Sequence, residues 1–158
     1  MSKMPFAVSL LFELEIDSAR PINIGEVPVG LRQFDVILEG RFQGPTLKGR
    51  VLAGVDRLLR TPDGTFRPDA IFCLQTEEGV AFEFKYSGIA MPPPELFRRI
   101  EEGKNTDDID YYHRIAGTFT APSGSLDWLN RIVVVGLGRL RPSAERRASV
   151  KYSLYEVK

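Results

Sequence analysis

Phe6-Ala-Val-Ser-Leu-Leu-Phe-Glu-Leu-Glu-Ile16 puts Phe6, Val8, Leu10, Phe12, Leu14 and Ile16 on even positions and Ala7, Ser9, Leu11, Glu13 and Glu15 on odd ones. Period two over such a run is the signal of a strand with one face in a core. The same pattern recurs along the chain. Phe34, Val36 and Leu38 alternate with Asp35, Ile37 and Glu39 in a second strand, interrupted by Gly40 and Gly44-Pro45. Leu47, Gly49, Val51 and Ala53 make the inner face of a third. Val55 to Arg60 is a short fourth, closed by the turn Thr61-Pro-Asp-Gly64. The stretch Pro21 to Gly30 reads as a break, because it carries two prolines and two glycines.

Phe66 to Thr76 follows, with Ala70, Phe72 and Leu74 on one face and Asp69, Ile71 and Cys73 on the other. Glu77-Glu-Gly79 is a hairpin connection into Val80, Phe82, Phe84 and Tyr86, which oppose Ala81, Glu83 and Lys85. One short helix is expected after Pro92-Pro-Pro94, with Leu96, Phe97 and Ile100 near one side and Gly103 as its C-terminal cap. Three more strands are expected at Tyr111–Thr120, Asp127–Arg139 and Ala148–Val157. The fold class that follows is mainly β: a single antiparallel β-barrel of about eight strands with one short helix, spanning residues 1–158 as one domain. A barrel is favoured because closure removes exposed sheet edges.

Composition agrees and excludes several functions. A chain of 158 residues suits one domain with a core that needs no disulfide or structural metal. Twenty-one basic residues balance 21 acidic ones, without the basic excess a nucleic-acid binder uses to neutralise phosphates. The single Cys73 excludes an intramolecular disulfide, and the single His113 excludes zinc sites built on two histidines. No secretory leader is visible before Phe6. The most apolar later run, Ile132 to Leu137, is far too short to span a membrane as a helix. The expectation is a cytoplasmic protein with a reduced thiol and no membrane, nucleic-acid, metal or cofactor partner. Ala70–Leu74 and Trp128–Leu137 are apolar on both faces. Their outer faces need cover, from the helix in one case and from a second subunit in the other, so a homo-oligomer is expected.

Five segments together carry a family resemblance: Gly40-Arg-Phe-Gln-Gly-Pro-Thr-Leu-Lys-Gly-Arg-Val-Leu52, Pro62-Asp-Gly64, Asp69-Ala70, Asp110-Tyr-Tyr-His-Arg114 and Asp127-Trp-Leu-Asn130. In this order and spacing the chain resembles the uncharacterised family of domain of unknown function 3237, found in bacteria and fungi, from Phe6 to Val157. The resemblance implies a small antiparallel barrel, calycin-like and similar to the allene oxide cyclase and lipocalin-like barrels. It brings no established reaction. Two departures stand out. Val55-Asp56-Arg57 replaces an Ala-Asp-Trp of many relatives, and Glu83 and Lys85 replace an aromatic residue and an Arg.

Several motifs have structural readings. Gly40, Gly44 and Gly49 lie within strand patterning and lack the Gly-Lys-Ser/Thr of a phosphate loop. Gly136-Leu-Gly138 precedes no helix, so it is no dinucleotide site. Asp107, Asp108 and Asp110 lack calcium-loop spacing and read as a solvated loop. Cys73 reads as a buried, inert thiol, and His113 as a surface or structural side chain. Arg139, Arg141, Arg146 and Arg147 read as a solvated hairpin.

The candidate site is Asp69, Tyr112, Arg114, Trp128 and Asn130. Tyr112 and Arg114 share one strand face, as do Trp128 and Asn130 if their segment is a strand. Facing inward, they would place polar donors beside aromatic walls in a barrel interior or mouth. Arg114 suits a carboxylate or carbonyl, Tyr112 and Asn130 a developing oxyanion, and Asp69 a general base. The structural alternative is an Arg114–Asp69 ion pair, with Asn130 tying down a turn. Three functions are compatible: a barrel that binds a small apolar or aromatic molecule, a cofactor-free isomerase, cyclase or lyase acting on a small carbonyl or aromatic metabolite, and a structural homo-oligomer with a filled barrel.

Overall fold

The computed structural model describes residues 4–144 and 147–158. Arg146 of the basic stretch lies outside them. The strands are β1 (Val8–Ser18), β2 (Ile22–Val27), β3 (Gly30–Gln43), β4 (Lys48–Arg60), β5 (Phe66–Arg67), β6 (Asp69–Thr76), β7 (Ala81–Ala90), β8 (His113–Thr120), β9 (Val134–Pro142) and β10 (Ala148–Val157). Eight of them close a barrel in the order β1, β10, β9, β8, β7, β6, β4, β3 and back to β1, every pair antiparallel. The short β2 and β5 pair with the ends of β3, β4 and β7 at one rim.

Several boundaries differ from the sequence reading, each for a physical reason. The third and fourth expected strands are one continuous β4. Gly54 does not interrupt it. A side chain there would bring Cβ within 2.2 Å of the Phe72 ring, so the glycine lets two strands approach. The second expected strand begins earlier, at Gly30, and runs through Gly40. The Pro21–Gly30 segment, read as a break, contains β2. Pro68 divides the fifth strand into β5 and β6. Asp127–Arg131 is a short 3-10 helix rather than the start of a strand. The Leu129 amide donates to the Leu126 carbonyl and the Asp127 amide to Gly124, and this turn geometry competes successfully with extension.

The helix α1 (Pro94–Glu101) begins within the triple proline, as expected. Gly103 follows with φ +67°, and its amide donates to the Ile100 carbonyl. Leu96 and Ile100 are buried, and Phe97 packs on Phe66 at 5.7 Å between ring centroids. The helix leaves the barrel where β7 ends and β8 begins.

The barrel has two chemically different ends. Toward the β6–β7 hairpin it is filled with aromatic side chains. Phe84 stacks on Phe119 at 4.8 Å, and Phe12 meets Phe42 at 4.9 Å. Leu126 and Leu129 of the 3-10 segment complete this plug. Toward the rim with β2, β5 and α1, polar groups replace the phenyl rings.

Candidate functional site

The polar end is built by strand register. Asp35 of β3 lies opposite Asp56 of β4, Asp56 opposite Ala70 of β6, and Ala70 opposite Tyr86 of β7. Directly opposed residues share a face with Cβ atoms about 5 Å apart. Buried Ala70 and Tyr86 fix that face as the interior. Ala70 is small, so only a methyl group stands between Asp56 and Tyr86 in this row.

Tyr152 of β10 and His113 of β8 complete the row. The Tyr86 hydroxyl donates to the Tyr152 oxygen at 3.2 Å. The Tyr152 hydroxyl lies 3.4 Å from His113 Nε2, a weak contact. With Tyr86 donating to Tyr152, the Tyr152 proton is not used within the tyrosine pair, and the roles in its contact with His113 Nε2 follow the tautomer of the ring. No hydrogen-bond partner faces buried Nδ1 among the described residues. Gly138 makes room for the ring, since a Cβ there would lie 2.5 Å from it. All three rings are buried, whereas Asp35 and Asp56 are half-buried and reachable by solvent.

The electrostatics follow from burial. Burial pushes the Asp56 carboxyl up to about 7, opposed by the Asp69 amide that donates to Asp56 Oδ1 at 2.9 Å. The neighbouring Asp35 and Asp69 charges raise it further, and Arg32 lowers it. Asp35 is also raised by burial, offset by the Gln33 side-chain amide at 2.9 Å. Burial first, then the Arg114 charge, holds His113 down at about 4, so the ring is neutral at pH 7. Tyr86 and Tyr152 are raised chiefly by burial and remain protonated donors.

The five residues singled out from sequence are distributed differently. Arg114 lies on the outer face of β8, and Tyr112 just before that strand. The Arg114 guanidinium stacks on the Tyr112 ring at 5.0 Å, and Tyr112 is 48% exposed. Asp69 also faces outward and pairs with Arg57 at 3.1 Å, not with Arg114. These three residues do meet, in a groove on the outside of the barrel. Trp128 and Asn130 lie on the 3-10 segment at the opposite end. Trp128 packs against the aromatic plug. Asn130 ties down a turn: its Oδ1 accepts from the Ala121 amide at 2.8 Å and its Nδ2 donates to the Ala121 carbonyl at 3.0 Å.

His113, read as surface or structural, points into the polar row. Cys73, read as buried, is half-buried on the outer face of β6. In the acidic loop, Asp108 bonds Arg99 and Asp107 approaches Arg141 at 3.5 Å. Among the described residues no group of three His, Cys, Asp or Glu is placed to hold a metal. No helix among them is long and apolar enough to cross a membrane.

The model of the protein of unknown function DUF3237 matches residues 6–157. The chain belongs to the DUF3237 family. A UPF0311 protein of Clostridium acetobutylicum is 32% identical over 133 residues, covering 82% of this chain and 84% of that one. The DUF3237 barrel also superposes on solved structures. A beta-barrel-like protein from Acinetobacter baumannii matches with TM-score 0.79 and 27% identity, covering 99% of each chain. A Penicillium herquei protein described as an enzyme matches with TM-score 0.70 and 20% identity, covering 100% of this chain and 98% of that one. At that identity the last likeness concerns the DUF3237 fold alone.

Proposed function

We propose that the polar end of the barrel binds a small, partly apolar carbonyl or aromatic metabolite and moves a proton on it without a cofactor. The observation that carries this reading is the row of Asp35, Asp56, Tyr86, Tyr152 and His113 on one inner face above an aromatic plug. Small-molecule sites combine apolar walls with a few convergent polar groups, and this row supplies both. A carboxyl poised near neutrality is suited to give and take protons at physiological pH.

In this reading the Asp56 carboxylate removes a proton from a carbon acidified by a neighbouring carbonyl. The enolate oxygen accepts from the Tyr152 hydroxyl, whose proton the Tyr86–Tyr152 bond leaves unused and whose value burial raises, so that it stays protonated. Asp56 then returns the proton, either to another carbon of the enolate in an isomerisation or, in a ring closure, to the oxygen of the second carbonyl that the enolate carbon attacks. Isomerisation, cyclisation and elimination share this first step. That the same barrel is described as an enzyme in Penicillium herquei is compatible with it.

The test is deuterium uptake. Aryl ketones and phenyl-substituted 1,3-diketones are incubated with the protein in D2O, and loss of the α-proton signal is followed by proton NMR. The expected result is accelerated exchange for at least one probe, rising with pH through a midpoint near 7. Asp56→Asn lowers that rate by about 100-fold or more, the usual scale of a positioned base. Undiminished exchange in Asp56→Asn refutes the assignment of Asp56. Absence of binding and exchange across the panel favours a filled structural barrel.

A further inference from the structure

The outside of the barrel carries a second feature that the polar row does not use. Tyr155, Val135, Ala116, Ser87 and Asp69 are successive register partners across β10, β9, β8, β7 and β6, all on the outer face. Leu137, Arg114 and Ile89 form the next row. Val135, Leu137 and Ile89 are each nearly two-fifths exposed. The ends of β3, β4 and β5 add Arg32, Leu59 and Arg67 to the same surface, enclosing a groove of about 1010 Å³. That is the size of a small-molecule site rather than of a crevice between side chains.

The charges within it are unbalanced. Arg32, Arg67 and Arg114 line the groove, and its single carboxylate, Asp69, is already paired with Arg57. None of the three arginines has a carboxylate within ion-pair distance among the described residues. Two of them are held in place. Arg114 donates to the His113 carbonyl at 3.0 Å while stacked on Tyr112, and Arg32 donates to the Arg57 carbonyl at 2.7 Å. Holding a guanidinium in advance lowers the entropy cost of binding an anion.

We infer that this outer groove binds an amphiphilic organic anion, its apolar body on Val135, Leu137 and Ile89 and its carboxylate or sulfonate head on Arg114 and Arg67. An all-apolar ligand would leave Arg67 and Arg114 without an ion-pair partner. A free inorganic anion would leave the apolar wall wet. The site lies on the opposite face of the strands from Asp56, so its occupancy is read without reference to proton transfer.

The probe is 8-anilinonaphthalene-1-sulfonate, with uncharged N-phenyl-1-naphthylamine as its control. Saturable fluorescence enhancement is expected at one probe per chain, with the uncharged analogue binding at least tenfold more weakly. Arg114→Gln together with Arg67→Gln removes that preference. Both positions are exposed, so the variant folds. Val135→Glu weakens both probes and leaves the chain's mass in solution unchanged. Three results overturn the inference: equal binding of the two probes, a preference that survives loss of both arginines, or a native dimer that Val135→Glu splits. The last would mean that a second copy covers the groove.

Discussion

Replacing Asp56 by Asn raises stability at pH 8 by about 2–4 kcal/mol, read by urea unfolding, or by roughly 5–10 °C in thermal midpoint. The size follows from a carboxyl whose value moves from an ordinary 3.8 to about 7 on folding. The upper figure is the full shift, and the lower one discounts the solvent that reaches this half-buried group. The Asn side chain keeps an oxygen to accept from the Asp69 amide, so the substitution removes charge and leaves that bond. The sign is set by proton binding. Between pH 4 and 7 the native state holds a proton that the unfolded state has lost, so wild-type stability falls as pH rises through this window. Above pH 7 both states are ionised and the full penalty remains. The gap between variant and wild type therefore opens from about pH 4 to pH 7 and closes below pH 4.

His113 acts in the opposite direction. Its value falls on folding, from 6.5 to about 4. Its contribution is present above pH 6.5 and is lost as pH falls toward 4, where the unfolded state gains the proton first. In the wild type the two slopes oppose each other across the same range. In Asp56→Asn only the His113 slope remains, so the variant loses stability on acidification more steeply than the parent. A constant gap at every pH contradicts this account.

Phe84→Ala costs about 3–5 kcal/mol, measured by denaturant midpoint at constant slope. Phe84 is fully buried, stacked on Phe119 at 4.8 Å and 5.2 Å from the Tyr86 ring. Its register partners are Phe72 and Phe119, so truncation opens a void in the middle of the plug. The neighbours are rigid rings on paired strands and collapse poorly into it. A loss below about 1 kcal/mol would show that the plug is loosely packed and able to admit a ligand.

The strands were legible where period two continues unbroken. The β6–β7 hairpin, β10 and β1 from Phe12 onward follow their alternation, and Tyr86 and Tyr152 fall on apolar faces as it places them. Before Phe12 a register shift buries Leu11 and leaves Phe6, Val8 and Leu10 exposed, against their expected place on the core face. What alternation cannot show is a bulge. The register of β4 against β6 shifts between Val51 and Ala53, so the inner face passes from Val51 to Gly54 and Asp56. One extra residue moves every later side chain to the other face, so unbroken alternation places Asp56 outside the barrel. A shift between β3 and β1 near Ile37 has the same effect. It puts Asp35 and Ile37 inside and leaves Val36 and Leu38 exposed, against their hydrophobicity.

The candidate site shows the same limit. Alternation places Tyr112 and Arg114 on one side and His113 on the other, but parity alone does not say which side is the interior. Trp128 and Asn130 alternate like strand residues over a segment too short to distinguish a strand from one helical turn. No departure marks Asp56: in Val55-Asp56-Arg57 the differences from the Ala-Asp-Trp of related sequences lie at Val55 and Arg57, and the aspartate is common to both patterns.

The most direct test is a carbon-13 titration of the aspartate side-chain carboxyls from pH 3 to 9, with Asp56 assigned by the signal that Asp56→Asn removes. This carboxyl is expected to titrate with a midpoint near 7. If every aspartate carboxyl, Asp56 included, completes its titration below pH 5, the polar end of the barrel is not a site poised for proton transfer.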